Sequence, residues 1–182
     1  MNSKPELMVH LCCAPDALYV IGLLQPSYKV TGFFYNPNIH PEEEYQLRLE
    51  EIRKIAGHLS FELIEGQYQP NLWFKLTEKF QAEPEKGRRC HICYAWRLDQ
   101  TANKARELGI PLFTTVMSIS PWKNSSVLNR MGKMIARKYR IEYLEADFKK
   151  KDGFNKSVQL SKQFGLYRQN YCGCLYSQRP GR

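Results

Sequence analysis

Six cysteines in three close pairs carry most of the chemistry that this sequence can perform. An aspartate follows the first pair in the stretch HLCCAPD, so the candidate chemical groups are Cys12, Cys13, Asp16, Cys90, Cys93, Cys172 and Cys174. Cysteines that only fill a core would scatter among apolar positions, whereas a soft metal needs several sulfurs that converge on one point. The pairing therefore predicts a metal centre.

The type of metal is left open by the spacing. Disulfides are disfavoured because the adjacent Cys12 and Cys13 are poorly placed to bond to each other. Zinc would need only four ligands, and Cys90-x-x-Cys93 with a second pair would supply them. An iron–sulfur cluster takes four thiolates, which would leave two thiols and a carboxylate for another role. Iron–sulfur is favoured over zinc, and both remain possible at this point.

The elements that must position these groups alternate between strands and helices. Buried, β-branched or aromatic runs predict strands at Leu7–Cys12, Val30–Tyr35, Leu59–Ile64, Pro111–Met117 and Ile141–Glu145. Capping signals and helical periodicity predict helices at Ala17–Leu24, Pro41–His58, Asn71–Gln81, Ile92–Leu108, Ser125–Tyr139 and Phe154–Phe164. The Lys149-Lys150-Lys151 run between the last strand and helix predicts a solvated turn.

This alternation predicts an α/β fold, in which a parallel sheet is flanked by helices. No linker, repeat or low-complexity tract divides the chain, so residues 1–182 are expected to form a single catalytic domain. Ligands of such sheets bind beyond the carboxyl ends of the strands. Cys12, Cys13 and Asp16 follow the first strand and are expected at this edge. His10 shares a strand face with Cys12, and we interpret it as a core histidine rather than a ligand.

Charge and hydropathy restrict the partners and the compartment. The formal net charge is +9, from 27 Lys and Arg against 18 Asp and Glu, which favours a polyanionic partner such as nucleic acid. The longest apolar run, Ala17–Leu24, is too short to cross a bilayer, and the polar Met1–Glu6 does not resemble a signal peptide. We therefore expect a cytoplasmic protein without a membrane partner.

Four motifs together resemble one enzyme family. They are CCAPD near the N-terminus, RRCHICYAWRL in the middle, SISPWKN after the fourth predicted strand and LYRQNYCGCLYS near the C-terminus. In this order, and with all six cysteines, they are similar to the epoxyqueuosine reductases of the QueH type. The resemblance covers nearly the whole chain.

The resemblance implies a fold, a reaction and a set of cofactors. The fold would be a Rossmann-like sheet of the nucleotide alpha-hydrolase-like group, with a metal-binding C-terminal segment. The reaction would be the reductive deoxygenation of epoxyqueuosine in tRNA to queuosine, the last step of queuosine biosynthesis, without cobalamin. A [4Fe-4S] cluster and one additional iron would be held by ligands drawn from Cys12, Cys13, Asp16, Cys90, Cys93, Cys172 and Cys174. The partners would be the tRNA anticodon loop and an external electron donor.

The allocation of ligands follows only in part from their chemistry. Cys90 and Cys93 are assigned to the cluster, and Asp16 to the lone iron, because a hard oxygen ligand suits a metal that binds oxygen. On this hypothesis Asp16, Cys12 and Cys13 are the catalytic groups, and they join the cluster to an iron that binds the epoxide oxygen. The remaining ligand assignments, the proton donor and the oligomeric state do not follow from the sequence.

Polar and aromatic residues near the cysteine motifs are candidates for binding the tRNA. Lys123 and Arg168 can hold phosphate or the bound nucleotide, and Trp122 and Tyr171 can stack on splayed bases. Further basic residues lie close in sequence to the cysteines, namely Lys86, Arg88, Arg89, Arg179 and Arg182.

Two other functions compete with the reductase. One is an ATP-dependent tRNA thiolase-like enzyme, which would want a glycine-rich phosphate loop after the first strand; this chain has Cys13-Ala14-Pro15-Asp16 there, with a carboxylate that repels phosphate. The other is a zinc-stabilised RNA-binding module. A colourless protein with stoichiometric zinc would favour the module.

Overall fold

The computed structural model describes residues 3–178 and contains one parallel sheet of five strands. The strands are β1 (Glu6–Leu11), β2 (Lys29–Phe34), β3 (Glu62–Glu65), β4 (Leu112–Thr115) and β5 (Glu142–Tyr143). Their order in the sheet is β3-β2-β1-β4-β5, and every neighbouring pair is parallel. This is the strand order of doubly wound nucleotide-binding sheets, so the predicted α/β class is confirmed.

Within residues 3–178, five α-helices lie between the strands and a sixth follows the last strand. They are α1 (Ala14–Leu24), α2 (Glu42–Leu59), α3 (Pro70–Thr77), α4 (Arg88–Glu107), α5 (Ser125–Tyr139) and α6 (Gly153–Gln163). Helix α1 packs against α2 and α6, and α4 packs against α5. Right-handed crossovers place these two groups on opposite faces of the sheet.

The central strand, β1, explains why the first motif lies where it does. Its residues from Leu7 to Leu11 are completely buried, because β2 and β4 pair with its two edges and helices cover its faces. A strand buried on both faces needs a continuous apolar run rather than an alternating one. The chain order reverses between β1 and β4, which opens a crevice at their carboxyl ends. Cys12 is the first residue beyond β1.

Two helices begin earlier than the sequence predicts. Helix α1 begins at Ala14, because Pro15 fits the first turn, where its missing N–H is not needed. The predicted start of α4 at Ile92 is wrong, since that helix begins at Arg88. Cys90 and Cys93 therefore lie in its first two turns, one helical turn apart on one side of the helix.

Several strand boundaries also differ from the predictions. Strand β4 ends at Thr115, and its hydroxyl accepts a hydrogen bond from the Met117 backbone that starts a 3₁₀ turn. Leu59 ends α2 instead of opening a strand. The predicted helix at 71–81 consists of α3 followed by a 3₁₀ turn at Glu78–Phe80. These shifts leave the sheet order unchanged, because each predicted strand overlaps the observed one.

Candidate metal centre

A compact group of two thiols and one carboxyl lies at the carboxyl end of β1. Cys12 and Cys13 follow the strand and Asp16 lies in the first turn of α1, so the strand-to-helix corner turns all three inward. One ligand atom from each lies within 4.8 Å of the other two, and all three residues are buried. Three convergent donors at this separation can coordinate one metal ion.

The electrostatics of this group favour a bound cation. Burial raises the pKa of the Asp16 carboxyl. The hydrogen bond between the two thiols lowers the pKa of Cys12 to about 7 and raises the pKa of Cys13 well above its usual value. Burying three acidic groups together is costly unless they stay protonated or a cation compensates them. A metal ion supplies that charge and allows all three to ionise.

The other four cysteines lie around a second cavity, and one of them, Cys172, also lines the pocket beside Cys12 and Asp16. Helix α4 supplies Cys90 and Cys93, and the segment after α6 supplies Cys172 and Cys174; all four line the cavity beside the indole of Trp73. Burial raises the pKa of the Cys90, Cys93 and Cys174 thiols, and the proximity of Cys172 raises each of them further. All six cysteines are free thiols. The four thiols that line this cavity match the number of ligands that an iron–sulfur cubane requires.

The C-terminal segment is held in place by a buried arginine of α2. Arg48 donates hydrogen bonds to the backbone oxygens of Tyr171 and Cys172 over 3.2 and 3.1 Å. Its charge is paired with Glu44, one helical turn earlier, over 2.7 Å. The Gly173 oxygen accepts a hydrogen bond from the His40 backbone at 2.8 Å. These contacts fix the backbone on both sides of Cys172 without using any cysteine side chain.

Unpaired buried polar groups beside the thiols provide a test of whether the centre fits a metal cluster. The side-chain amide of Asn38 and the indole N–H of Trp73 line the four-cysteine cavity, and neither has a nitrogen or oxygen partner. Arg97, which lines the neighbouring pocket, has an unpaired Nη2. Buried donors without partners are rare in folded proteins. Cluster sulfides and thiolates accept such N–H bonds, so these residues fit a cluster.

A pocket of about 280 Å³ opens beside Cys12, Asp16 and Cys172. All four residues predicted to bind the tRNA line it: Trp122, Lys123, Arg168 and Tyr171. Lys149 anchors the loop that carries the first two, because its ammonium donates to the Ser118 oxygen at 2.8 Å and to the Lys123 oxygen at 3.4 Å. Lys150 and Lys151 are exposed in a turn, as predicted, whereas Lys149 is partly buried and has this structural role.

Lys123 brings a positive charge to the thiol side of this pocket. Burial opposes its charged form, but the nearby Cys172 and Cys12 thiols outweigh that effect and raise the pKa of Lys123. The lysine also lowers the pKa of Asp16 against the larger effect of burial. An ammonium between the two donor groups can stabilise negative charge that forms in the pocket.

Residues discussed outside the pocket have different positions. His10 is a core histidine, as expected: its ring nitrogens lie 3.1 Å from Thr115 Oγ1 and 3.1 Å from the Tyr35 oxygen, and burial lowers its pKa to about 3. Arg89 is buried and donates to three backbone oxygens between Phe80 and Glu83, so it is structural rather than a surface charge. Arg179 and Arg182 lie outside the described residues.

Two important residues, Arg48 and Arg97, escaped the sequence interpretation. Each lies on the otherwise buried stripe of its helix, Arg48 next to Leu49 in α2 and Arg97 next to Leu98 in α4. Arginines are almost never fully buried without a partner. The position of each arginine on an apolar helical stripe could therefore have predicted that it is buried beside a negatively charged group.

Comparisons with known proteins point to one family. Residues 7–180 match the sequence profile of a family described as Epoxyqueuosine reductase QueH. A relative from Streptococcus pyogenes serotype M1 is 36% identical over 97% of this chain and 71% of its own length. One from Thermotoga maritima is 37% identical over 94% of this chain and 89% of its own, and one from Acinetobacter baylyi is 38% identical over 98% and 83%. All three carry the same name, Epoxyqueuosine reductase QueH.

Proposed function

The chain belongs to the QueH family of epoxyqueuosine reductases, and from that membership and its site we propose that it reduces epoxyqueuosine in tRNA to queuosine with a [4Fe-4S] cluster and one adjacent iron. The observation that carries this proposal is the division of seven donors into two sets beside one pocket. Cys12, Cys13 and Asp16 form the set of three, and the other four cysteines line their own cavity.

The reaction sets the requirements that these sets must meet. Conversion of an epoxide to an alkene takes two electrons and two protons and releases the oxygen as water. When bound, a cluster would supply electrons and an adjacent iron would provide a Lewis acid towards oxygen. Cys90, Cys93, Cys172 and Cys174 would hold the cluster, and Cys12, Cys13 and Asp16 the iron. Three protein ligands leave a position open for substrate.

The chain's own groups bind and orient the substrate beside these ligands. Lys123 places an ammonium on the same pocket wall as Asp16, where it can donate a hydrogen bond to the oxygen as negative charge develops on it. Arg168 lies over the Phe154 ring, 5.2 Å from its centroid, and donates to Ser161 Oγ over 3.4 Å, so its guanidinium is oriented towards the pocket rim. That position suits a phosphate of the tRNA backbone.

Aromatic groups at the pocket mouth suit an extruded anticodon-loop base. The Trp122 ring is 47% exposed and lies 5.9 Å from the Lys86 ammonium. Two contacts orient Tyr171. The Arg48 guanidinium lies 5.3 Å from the centroid of the tyrosine ring, and the tyrosine hydroxyl donates a hydrogen bond to the His40 backbone oxygen. Single-stranded bases stack on such platforms, and the net charge of +9 favours the polyanion.

A helix that spans a membrane must be long and apolar enough to cross the bilayer. Between residues 3 and 178, no helix has both the length and the apolar character that a membrane span requires.

The phosphate-binding alternative is disfavoured by the first turn of α1. In a nucleotide-dependent enzyme on this scaffold, that turn would present free backbone N–H groups to a phosphate. Here it contains Pro15, which lacks the N–H, and the carboxyl of Asp16. The reductase is therefore favoured over an ATP-dependent thiolase.

The first experiment is the metal content of protein purified without oxygen. We expect roughly four sulfides and four to five irons per chain, with a broad visible absorption, as for a cubane plus one iron. Turnover of epoxyqueuosine tRNA should then follow when a chemical reductant is added. Zinc without sulfide would contradict the proposal and favour the RNA-binding module, since zinc needs only four of the donors.

Replacing Trp122 tests the binding platform separately. We expect Trp122→Ala to raise KM for tRNA about 5- to 150-fold, the loss of about 1–3 kcal/mol of stacking on one base. The kcat should change little, because the ring lies at the pocket mouth rather than beside the ligands. Trp122→Phe should restore most of the affinity. The matched control is Phe164→Ala, which removes a 43% exposed aromatic ring outside the pocket.

Equal effects of Trp122→Ala and Phe164→Ala on KM would show that general surface changes, not stacking, are responsible. A fall in kcat with unchanged KM would place Trp122 in the chemical step instead.

A further inference from the structure

Arg97 is a buried cation in α4 whose hydrogen bonds leave part of its guanidinium unused. The side chain is almost completely buried. Its Nε donates to the Cys93 backbone oxygen at 3.3 Å, and its Nη1 donates to Asn36 Oδ1 at 3.4 Å. Nη2 has no partner and the group lines the pocket beside Cys12 and Cys172. One nitrogen is therefore available to an acceptor that the protein itself does not provide.

The charge of Arg97 also lacks an acidic partner. Within residues 3–178, no carboxylate forms an ion pair with it. Burial, the largest single effect, lowers the pKa of Arg97. The thiols of Cys93, Cys172 and Cys12 and the phenol of Tyr94 together outweigh burial and raise the pKa. A buried charge that has no counter-charge is strongly destabilising. Its natural counter-charge here is a set of thiolates.

Arg97 lies beside residues of both donor sets: it lines one pocket with Cys12 and Cys172, and its Nε donates to the backbone oxygen of Cys93. Cys12 belongs to the set at the end of β1, and Cys93 and Cys172 belong to the four-cysteine cavity. Asn36 strengthens the connection, because it donates to the Leu11 oxygen at 2.8 Å while it accepts from Arg97. The guanidinium is thus fixed between the strand that precedes Cys12 and the helix turn that carries Cys93.

We propose that Arg97 is the internal counter-charge of the metal assembly and makes its reduction easier. This inference rests on the proposed function. Each electron that enters adds negative charge to a thiolate-rich site, and a fixed positive charge beside both sets favours the reduced state. Lys123 also faces thiols, but it lies nearer the pocket opening and interacts with Asp16. Arg97 is a positioning residue in this role and does not touch the substrate.

The test is a reductive titration of anaerobically purified protein, followed by electron paramagnetic resonance. Arg97→Met removes the charge and keeps an unbranched side chain. Arg97→Lys keeps the charge but loses the planar guanidinium and its several N–H donors. We expect Arg97→Met to lower the reduction equilibrium constant about tenfold, a shift of about 59 mV to more negative potential for one electron. Arg97→Lys should stay near the wild-type potential. The charge control is Arg53→Met, which removes a surface cation paired with Glu65 and should leave the potential unchanged.

Each outcome distinguishes this inference from the proposed function. Wild-type protein without iron and sulfide would overturn the proposed function itself. Loaded Arg97→Met with a wild-type potential would overturn only the counter-charge. If Arg97→Met does not bind the cluster, the Arg97→Lys variant distinguishes the two explanations. Cluster binding by Arg97→Lys would support the role of the charge. Loss of the cluster from Arg97→Lys as well would overturn that role and show that the hydrogen bonds to Cys93 and Asn36 are required instead.

Discussion

Asp16→Ala should reduce turnover of epoxyqueuosine tRNA by at least about 1,000-fold while most of the iron and nearly all of the sulfide remain bound. The carboxyl belongs to the set of three donors, which is separate from the cavity lined by four cysteines. Its loss removes the one hard ligand of the iron that would act on oxygen, and Lewis-acid assistance supplies several kcal/mol of transition-state stabilisation. Iron and sulfide analysis combined with single-turnover kinetics would measure both effects.

The fold should survive this substitution. Burial raises the pKa of Asp16, so its ionised form does not stabilise the fold. The favourable interaction of an acidic residue with the first turn of α1 is worth only about 0.3–1 kcal/mol. Circular dichroism of Asp16→Ala should therefore match the wild type. Its near-normal stability would separate a chemical defect from a folding defect.

Two variants act as controls for the Asp16 result. Asp16→Asn keeps an oxygen donor and should retain more iron and more activity than Asp16→Ala. Cys93→Ala removes a thiolate from the other set and should lose sulfide and iron together. Loss of the entire cluster from Asp16→Ala would contradict the division into two sets and would show that this aspartate has a purely structural role.

Sequence reasoning was most successful where local chemistry determines the structure. The buried run before Cys12 identifies a central strand, and the paired cysteines identify the two groups of candidate ligands. The strand-to-helix alternation then places Cys12 and Asp16 at the carboxyl edge of the sheet. Trp122, Lys123, Arg168 and Tyr171 come from two distant motifs and line one pocket.

Contacts between distant segments could not be predicted in the same way. The position of the four-cysteine cavity relative to Asp16 depends on how residues 164–178 fold back over α2, and no periodic pattern encodes that path. Arg48 determines it by donating to the Tyr171 and Cys172 backbone oxygens, which lie more than 120 residues away in sequence. The position of Arg97 is equally non-local, since it donates to Asn36, in the loop after β2, and lines one pocket with Cys12 and Cys172.

The path of the C-terminal segment also depends on Gly173, between Cys172 and Cys174. Its φ of +116° is a conformation that side-chain-bearing residues rarely adopt. A Cβ at this position would lie 2.9 Å from Ile39 Cγ1 and 3.2 Å from Arg48 Nη1. We expect Gly173→Ala to add about 1–3 kcal/mol of backbone strain, which the segment would relieve by moving away from α2. That movement would displace both flanking thiols.

Gly173→Ala should therefore lose most of its sulfide and at least about 100-fold in activity, because displacements of about 1 Å are enough to disable a preorganised site. Gly165→Ala is the matched control: its φ is +61° in the same C-terminal region, but a Cβ there meets nothing within 4 Å. It should cost about 1–2 kcal/mol of stability and keep the cluster. An equal loss of sulfide from the two variants would mean that backbone strain alone, rather than the close approach of Gly173 to Ile39 and Arg48, determines the positions of the ligands.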